Sequence, residues 1–307
     1  MNILLELLMT LFKVFSALFW ASVHFFIPPP QKSVKGEIIL ITGGGSGIGR
    51  LLAQRLAKLG ATIVIWDINK EGNEETARLI TENGGKAHAY ICDISNNSEI
   101  SVCSETVKRE VGCVSMLINN AGIVSGKKFI DTTEKDIVKT FEVNTFAHVW
   151  AAKAFLPDMI KNQHGHIVNI VSSAGYIGVN GLSDYCASKF ASVGLTECLD
   201  LELHFAGHDY INTTLVCPYY IDTGMFAGCQ TRFPWLLPIL DSDYAADRIM
   251  LAILTNQKQL CIPRIIYFLV MLKTIVPASA SPYVHRFMGG DKLMANFVGR
   301  QGNKKTN

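Results

Sequence analysis

The chain has 307 residues, with 28 Lys and Arg against 26 Asp and Glu, so its net charge is only +2. That balance leaves no electrostatic case for nucleic acid as a partner. The apolar share is 49% and mean hydropathy is +0.24, which predicts an apolar segment in addition to a globular core. The eight cysteines never form C-x-x-C and fall mostly in apolar segments. Reduced buried thiols are therefore expected, with neither a disulfide framework nor a metal site.

Residues 1–28 read as a membrane anchor. Glu6, Thr10, Lys13, Ala17, Ala21 and His24 recur every three or four positions among Leu, Phe, Val and Trp. On a helix this gives a narrow polar stripe along an apolar rod. Pro28, Pro29 and Pro30 follow where a signal peptide would have a small-residue cleavage site. A full span would carry Glu6 and Lys13 into hydrocarbon at roughly 2.5–3.5 kcal/mol each. The uncharged run 14–27 is also short for a span. A helix lying in the membrane interface is expected, with a shallow hairpin or a true span as the alternatives. Residues 29–36 read as a linker whose Lys32 and Lys35 are placed to meet anionic headgroups.

A buried strand then begins at residue 37, with the continuous apolar run 38–41. Glycines follow at 43, 44, 45, 47 and 49, and a helical pattern starts at Arg50. A strand, a glycine turn and a helix together bring bare N–H groups and a positive helix end to a phosphate. Gly43, Ser46, Gly47, Ile48 and Gly49 are the candidate cradle for a cofactor pyrophosphate. The form is T-G-x-x-x-G-x-G from Thr42 to Gly49, and it resembles the short-chain dehydrogenase/reductase family. The second strand, 62–66, ends at Asp67, where a carboxylate can hold the adenosine ribose hydroxyls and repel a 2′-phosphate. Positions 44–46 carry no Arg or Lys, so NAD is expected over NADP.

Further strands are expected near 86–91, 115–118, 165–171 and 211–216, with helical periodicity over 73–83, 98–111 and 135–162. The alternation predicts an α/β fold: a Rossmann-type, doubly wound parallel sheet in one catalytic domain over 37–270, followed by an extension over 271–307. Ligands then bind at the carboxyl ends of the strands. Asp93 and Ile94, after the third strand, and Asn120, Ala121 and Gly122, after the fourth, stand at such ends.

The chemistry concentrates in two stretches, Asn169 to Gly175 and Tyr185 to Lys189. Tyr185 and Lys189 are four apart and share a helix face. An ordinary tyrosine, with a pKa of about 10, is a poor base near neutrality. An adjacent ammonium and the positive nicotinamide are expected to bring it toward working pH. Ser172, thirteen residues earlier on the strand end, can hold the substrate oxygen while Tyr185 exchanges its proton. Ser173 is its adjacent rival.

The family resemblance runs over about 37–270 and adds implied roles. It implies Asn144 as a fourth catalytic position, anchoring a water that leads from the lysine to solvent, and it selects Ser172 by the usual spacing to Tyr185. Asn119 to Gly122, N-N-A-G, matches the element that steadies the sheet and lets the adenosine pass. Pro218 and Thr223 match a P-G-x-x-x-T element at the carboxamide end of the cofactor, with Tyr219 in place of glycine. The loop over 224–240, with Met225 and Phe226 as candidate substrate contacts, falls where the family builds a substrate lid; its composition suits a long hydrophobic alcohol. A loop packed on a membrane or a partner subunit is the alternative. Residues 262–277 are again apolar with sparse positive charge, either a second membrane contact or a buried final helix.

The closest resemblance is to the membrane- and lipid-droplet-associated branch of retinol and 17-beta-hydroxysteroid dehydrogenases, through 35–43, 66–76, 126–129, 178–190 and 223–226. It implies an NAD-dependent oxidation of all-trans-retinol at the cytosolic face of the endoplasmic reticulum or on lipid droplets. A steroid alcohol and a lipid-droplet coat or scaffold role are the alternatives, and a homodimer is left open.

Overall fold

The computed structural model of the chain describes residues 3–299. It divides into two compact units that meet between Ser33 and Val34. The first holds one continuous helix, α1 (Ile3–Phe26), which excludes a hairpin within those residues. At about 1.5 Å per residue, its 24 residues run about 36 Å, beyond the roughly 30 Å of a hydrocarbon core. Among the described residues it is the one helix long and apolar enough to cross a membrane. Its apolar side chains, Phe12, Phe15 and Phe19 among them, are exposed.

The second unit is built on seven parallel strands. These are β1 (Ile38–Thr42), β2 (Thr62–Asp67), β3 (Lys86–Ile91), β4 (Met116–Asn119), β5 (Gly165–Ile170), β6 (Ile211–Pro218) and β7 (Gln259–Ile262). Their spatial order is β3-β2-β1-β4-β5-β6-β7, so the chain reverses direction across the sheet between β1 and β4, where a doubly wound fold opens its binding crevice. The central strands are apolar at consecutive positions because both faces are dry. Ile39 and Ile41 of β1 and Ile63 and Ile65 of β2 face one core layer; Leu40, Val64 and Trp66 face the other. The first layer is covered by α2 (Gly47–Lys58) and α8 (Ser242–Leu254). The second is covered by α4 (Asn97–Glu110) and α6 (Ala147–Lys161), and Trp66 meets Phe155 of α6 at 5.7 Å between ring centroids. The edge strand β3 is flanked by α3 (Lys70–Glu82).

Six of the seven strands fall where the apolar runs put them. The seventh, β7, is only four residues long, too short a run to separate from a loop by pattern. The single helix expected over 135–162 is two helices. Following α5 (Glu134–Phe141), the backbone widens to a π-helical turn at Glu142–Phe146 before α6 resumes. The unit begins earlier than residue 37: Val34 is buried, and the Gly36 N–H donates to Gly60 O at 2.9 Å. It also continues past 270, because α9 (Ile265–Ile275) crosses that position and α10 (Ser281–Phe287) and Leu293 pack with the rest. Five of the eight cysteines are buried, while Cys113 and Cys198 are at the surface.

Candidate active site

A cavity of about 250 Å³ opens at the carboxyl ends of β1, β2, β4, β5 and β6. Its floor is the turn after β1. Gly43 and Gly47 have φ of +65° and +52°, a left-handed conformation that glycine adopts without strain. A Cβ on Gly43 would stand 2.8 Å from Ala121 Cα, and one on Gly49 only 2.3 Å from Gly43 O. The turn and the start of α2 therefore pack backbone against backbone. The side chain of Ser46 makes no capping bond, which leaves the opening N–H groups of α2 without a side-chain partner at the positive end of the helix.

Asp67, at the end of β2, also lines this cavity. Its Oδ2 accepts from Gly45 N at 3.0 Å and its Oδ1 from Asn69 N at 2.9 Å. The carboxylate thus holds the glycine turn against the β2 turn while it faces the cavity. Asn69 itself caps α3, accepting from Gly72 N at 3.0 Å. Arg50, outside the 44–46 window, stands close by: it donates to Gly45 O, to Gly72 O at 3.2 Å and to Thr76 Oγ1 at 2.9 Å. Its guanidinium is spent on the chain's own acceptors. The glycine cradle, the open helix end and the anionic strand end together fit a dinucleotide cofactor.

Asp93, Ile94, Asn120, Ala121 and Gly122 line the same cavity. Asn120 donates to Thr42 O and Gly43 O at 3.0 and 3.2 Å, tying the β4 turn to the β1 turn. Asp93 bonds Ser95 and, at 3.2 Å, Lys139 of α5. Burial pushes its pKa up, but those bonds prevail and hold the carboxyl below its usual range. Lys139 lines the cavity without having been singled out from the sequence, as do Ile68, Ile123 and Val143. Lys139 lies 46 residues from its partner Asp93, with no local pattern to mark it.

The reactive side chains meet at the far end. Tyr185 sits in the first turn of α7 (Ser183–Phe205), with Lys189 one turn on; their exposures are 4% and 2%. The Lys189 Nζ lies 5.7 Å from the centre of the Tyr185 ring. Ser172 follows β5; its Oγ accepts from Ala174 N at 3.1 Å and faces the cavity, whereas Ser173 does not line it. Pro218, Thr223, Met225 and Phe226 close the remaining side. Phe226 meets Tyr185 edge to face at 5.7 Å.

Electrostatics in the chain alone differ from the expectation of a tyrosine drawn toward neutrality. Burial pushes the Tyr185 phenol up, and the hydrogen bond from Ser172 only partly opposes it. Burial likewise lowers the Lys189 ammonium to about 8. A dry site resists both charges. His148, buried on α6, is lowered to about 3 by its burial and by the Lys189 charge.

Asn144 lies behind the cavity wall, within the π-helical turn. Its side chain accepts from Ile123 N and donates to Ile123 O, both at 2.9 Å, and donates to Ser188 Oγ at 3.1 Å. Its carbonyl oxygen accepts from Ser192 Oγ at 2.7 Å. The Asn144 side chain thus pins the loop after β4 to α7.

Residues 37–232 match the short chain dehydrogenase family. Epidermal retinol dehydrogenase 2 of Mus musculus is 50% identical over 306 residues, covering 99% of this chain and 97% of that protein. A short chain dehydrogenase/reductase of Burkholderia phymatum, solved in complex with NAD, superposes with a TM-score of 0.72 at 26% identity, over 79% of this chain and 94% of that one. A metagenomic short-chain oxidoreductase, solved in complex with NADP, superposes with a TM-score of 0.63 at 28% identity, over 75% and 98%.

Proposed function

The chain belongs to the short-chain dehydrogenase family, and from that premise we propose that it oxidises a hydrophobic alcohol with NAD, all-trans-retinol to all-trans-retinal. One observation carries this reading: Ser172, Tyr185 and Lys189 converge on the same cavity as the glycine turn and Asp67. Retinol as substrate is supported by the name of the 50%-identical relative and by the apolar side chains Met225 and Phe226 at the reactive end.

In this reading NAD, when bound, supplies the hydride acceptor and a positive ring. Gly43, Ser46, Gly47, Ile48 and Gly49 hold its pyrophosphate, and Asp67 holds its ribose. Asp93, Ile94, Asn120, Ala121 and Gly122 flank its adenosine half, while Pro218 and Thr223 receive the carboxamide. The Ser172 hydroxyl would fix the alcohol oxygen, and Tyr185, once its phenol has passed its own proton toward Lys189, would take the hydroxyl proton while the C–H hydride goes to the acceptor that NAD supplies. Lys189, lowered to about 8 by burial, sits near the pH at which it can give or accept that proton. Asn144 holds the loop and helix that flank Gly122. A Cβ on Gly122 would lie 3.4 Å from Asn144 Oδ1 and 3.6 Å from Lys189 Nζ.

The same reading anchors the protein by α1 at the endoplasmic reticulum or a lipid droplet, with the catalytic unit in the cytosol. On α9, Phe268, Met271 and Ile275 are exposed, which supports a second apolar contact with that surface.

The test is kcat/KM of the membrane-bound full chain for all-trans-retinol and for estradiol, each with NAD⁺ and NADP⁺. Retinol with NAD⁺ should give the highest value. A higher value for estradiol transfers the assignment to the steroid alcohol, and oxidation of neither overturns it.

A further inference from the structure

The catalytic unit holds a second cavity, of about 400 Å³, beneath α9 and α10. Its walls are mostly aliphatic, with Ile177, Leu237, Ile266, Leu269, Leu272 and Val284 among them. Lys273, at its edge, is already committed: its Nζ donates to Tyr176 O at 2.6 Å and lies 4.8 Å from the centre of the Phe190 ring. The two cavities share Tyr219, and the consecutive residues Ser172 and Ser173 line one each.

Tyr219 begins an aromatic ladder that ends at the reactive phenol. It meets Tyr220 edge to face at 4.7 Å, Tyr220 meets Phe226 at 4.7 Å, and Phe226 meets Tyr185 at 5.7 Å. The Tyr219 hydroxyl is hydrogen-bonded to Thr231 of the 224–240 loop, and burial pushes its pKa up to about 12. A glycine here would leave no ring between the two cavities.

The lining argues for continuity. Much of the catalytic cavity is walled by the residues assigned to the cofactor, and Met225, Phe226 and Tyr219 are the large side chains left at its reactive end, Tyr219 being shared with the second cavity. The second cavity has the lining for a long hydrocarbon body, and its basic side chains, Lys273 and His285, do not line the catalytic cavity. Its roof is also unusual. Leu269 and Leu272 of α9 and Val276 just after it line the cavity, while Phe268, Met271 and Ile275 are exposed. A helix with apolar side chains on opposite faces belongs between two apolar phases, as it would with hydrocarbon substrate on one side and lipid on the other.

We propose that the two cavities form one substrate site divided at Tyr219, with the alcohol group held at Ser172 and Tyr185 and the hydrocarbon body lodged beneath α9 and α10. The inference rests on the alcohol dehydrogenase reading above and adds where chain length is recognised. Tyr219 acts as a positioning residue that sets where the oxidised carbon stops. Each methylene moved from water into such a cavity strengthens binding about fourfold. Long allylic alcohols are therefore favoured over short ones.

The test uses the full chain in membranes, with prenol as the short allylic alcohol and all-trans-retinol as the long one. Leu269→Trp fills the cavity from α9, and Val284→Trp repeats the test from α10. NADH binding, read by its fluorescence, reports that each variant is folded. Either variant that binds NADH should lose kcat/KM for retinol at least tenfold more than for prenol, through KM. Equal losses for the two alcohols, or none, in variants that bind NADH overturn the inference while leaving the dehydrogenase reading in place. Failure of wild type to oxidise either alcohol overturns the retinol reading and the inference with it.

Discussion

Asp67 stabilises its own turn and also faces the cofactor cavity, through the same carboxylate. Like-charge juxtaposition costs several kcal/mol in recognition, so Asp67→Ser should lower kcat/KM with NAD⁺ and raise it with NADP⁺, narrowing a preference of roughly a hundredfold. Arg50 is held by Gly45 O, Gly72 O and Thr76, and Lys70 is turned to Glu74 at 3.8 Å, so the substitution removes a repulsion without supplying a cation. Unchanged relative use of the two cofactors would refute the role given to Asp67. Lys189 makes a separate prediction. Its folded value, about 8, lies below the ordinary 10.5, so between those limits the unfolded chain binds more protons. The Lys189 contribution to stability should therefore rise as pH increases from about 8 to 10, against the opposing contributions of the buried thiols and Tyr185, whose pKa values are shifted up. The stability difference between wild type and Lys189→Met should therefore change with pH over that window in favour of wild type, and a difference that does not vary with pH would contradict it. The cluster of Ser172, Tyr185 and Lys189 was legible in the sequence because its spacing is local: one strand end and one helical turn. Arg50 and Lys139 were not, because each acquires its place only when distant turns fold against it.

Asn144 belongs at the scale of elements. The sequence reads α5 and α6 as one helix because apolar periodicity runs through both, and no Gly or Pro marks 142–146. The interruption comes from tertiary bonds, since the Asn144 side chain is drawn to Ile123 and Ser188; π-turns of this kind concentrate at functional sites. Removing that side chain orphans partly buried backbone groups, at about 1–3 kcal/mol for an unmet group. Asn144→Ala should destabilise the catalytic unit by about 2–3 kcal/mol and reduce kcat through the displaced loop and helix. Wild-type stability in that variant would show that the turn is held by other contacts. β7 escaped the sequence reading for the opposite reason. It is too short for a pattern, and it is defined by pairing with β6 in the register Leu215 to Gln259 and Val216 to Leu260.

For the whole molecule, the separation of α1 from the catalytic unit predicts that deleting residues 1–27 releases the protein from membranes without unfolding the dinucleotide site. Loss of NADH binding on that deletion would contradict it. Protease protection decides the topology: both flanks of α1 should be accessible from the cytosolic side, and a protected N-terminus would make α1 a span, for which its length suffices. The alternating strands made the doubly wound sheet legible from sequence. The pairing of two cavities across Tyr219 was not, because their walls come from segments on both sides of the sheet edge. The account's central claim is that Tyr185 moves the proton of a hydrophobic alcohol oxidised with NAD, and the most direct measurement is the rate of NADH formation from all-trans-retinol by membranes carrying wild type or Tyr185→Phe. The account predicts a fall of about 10²–10⁴-fold in kcat, with NADH affinity nearly unchanged. Full activity in Tyr185→Phe would contradict it.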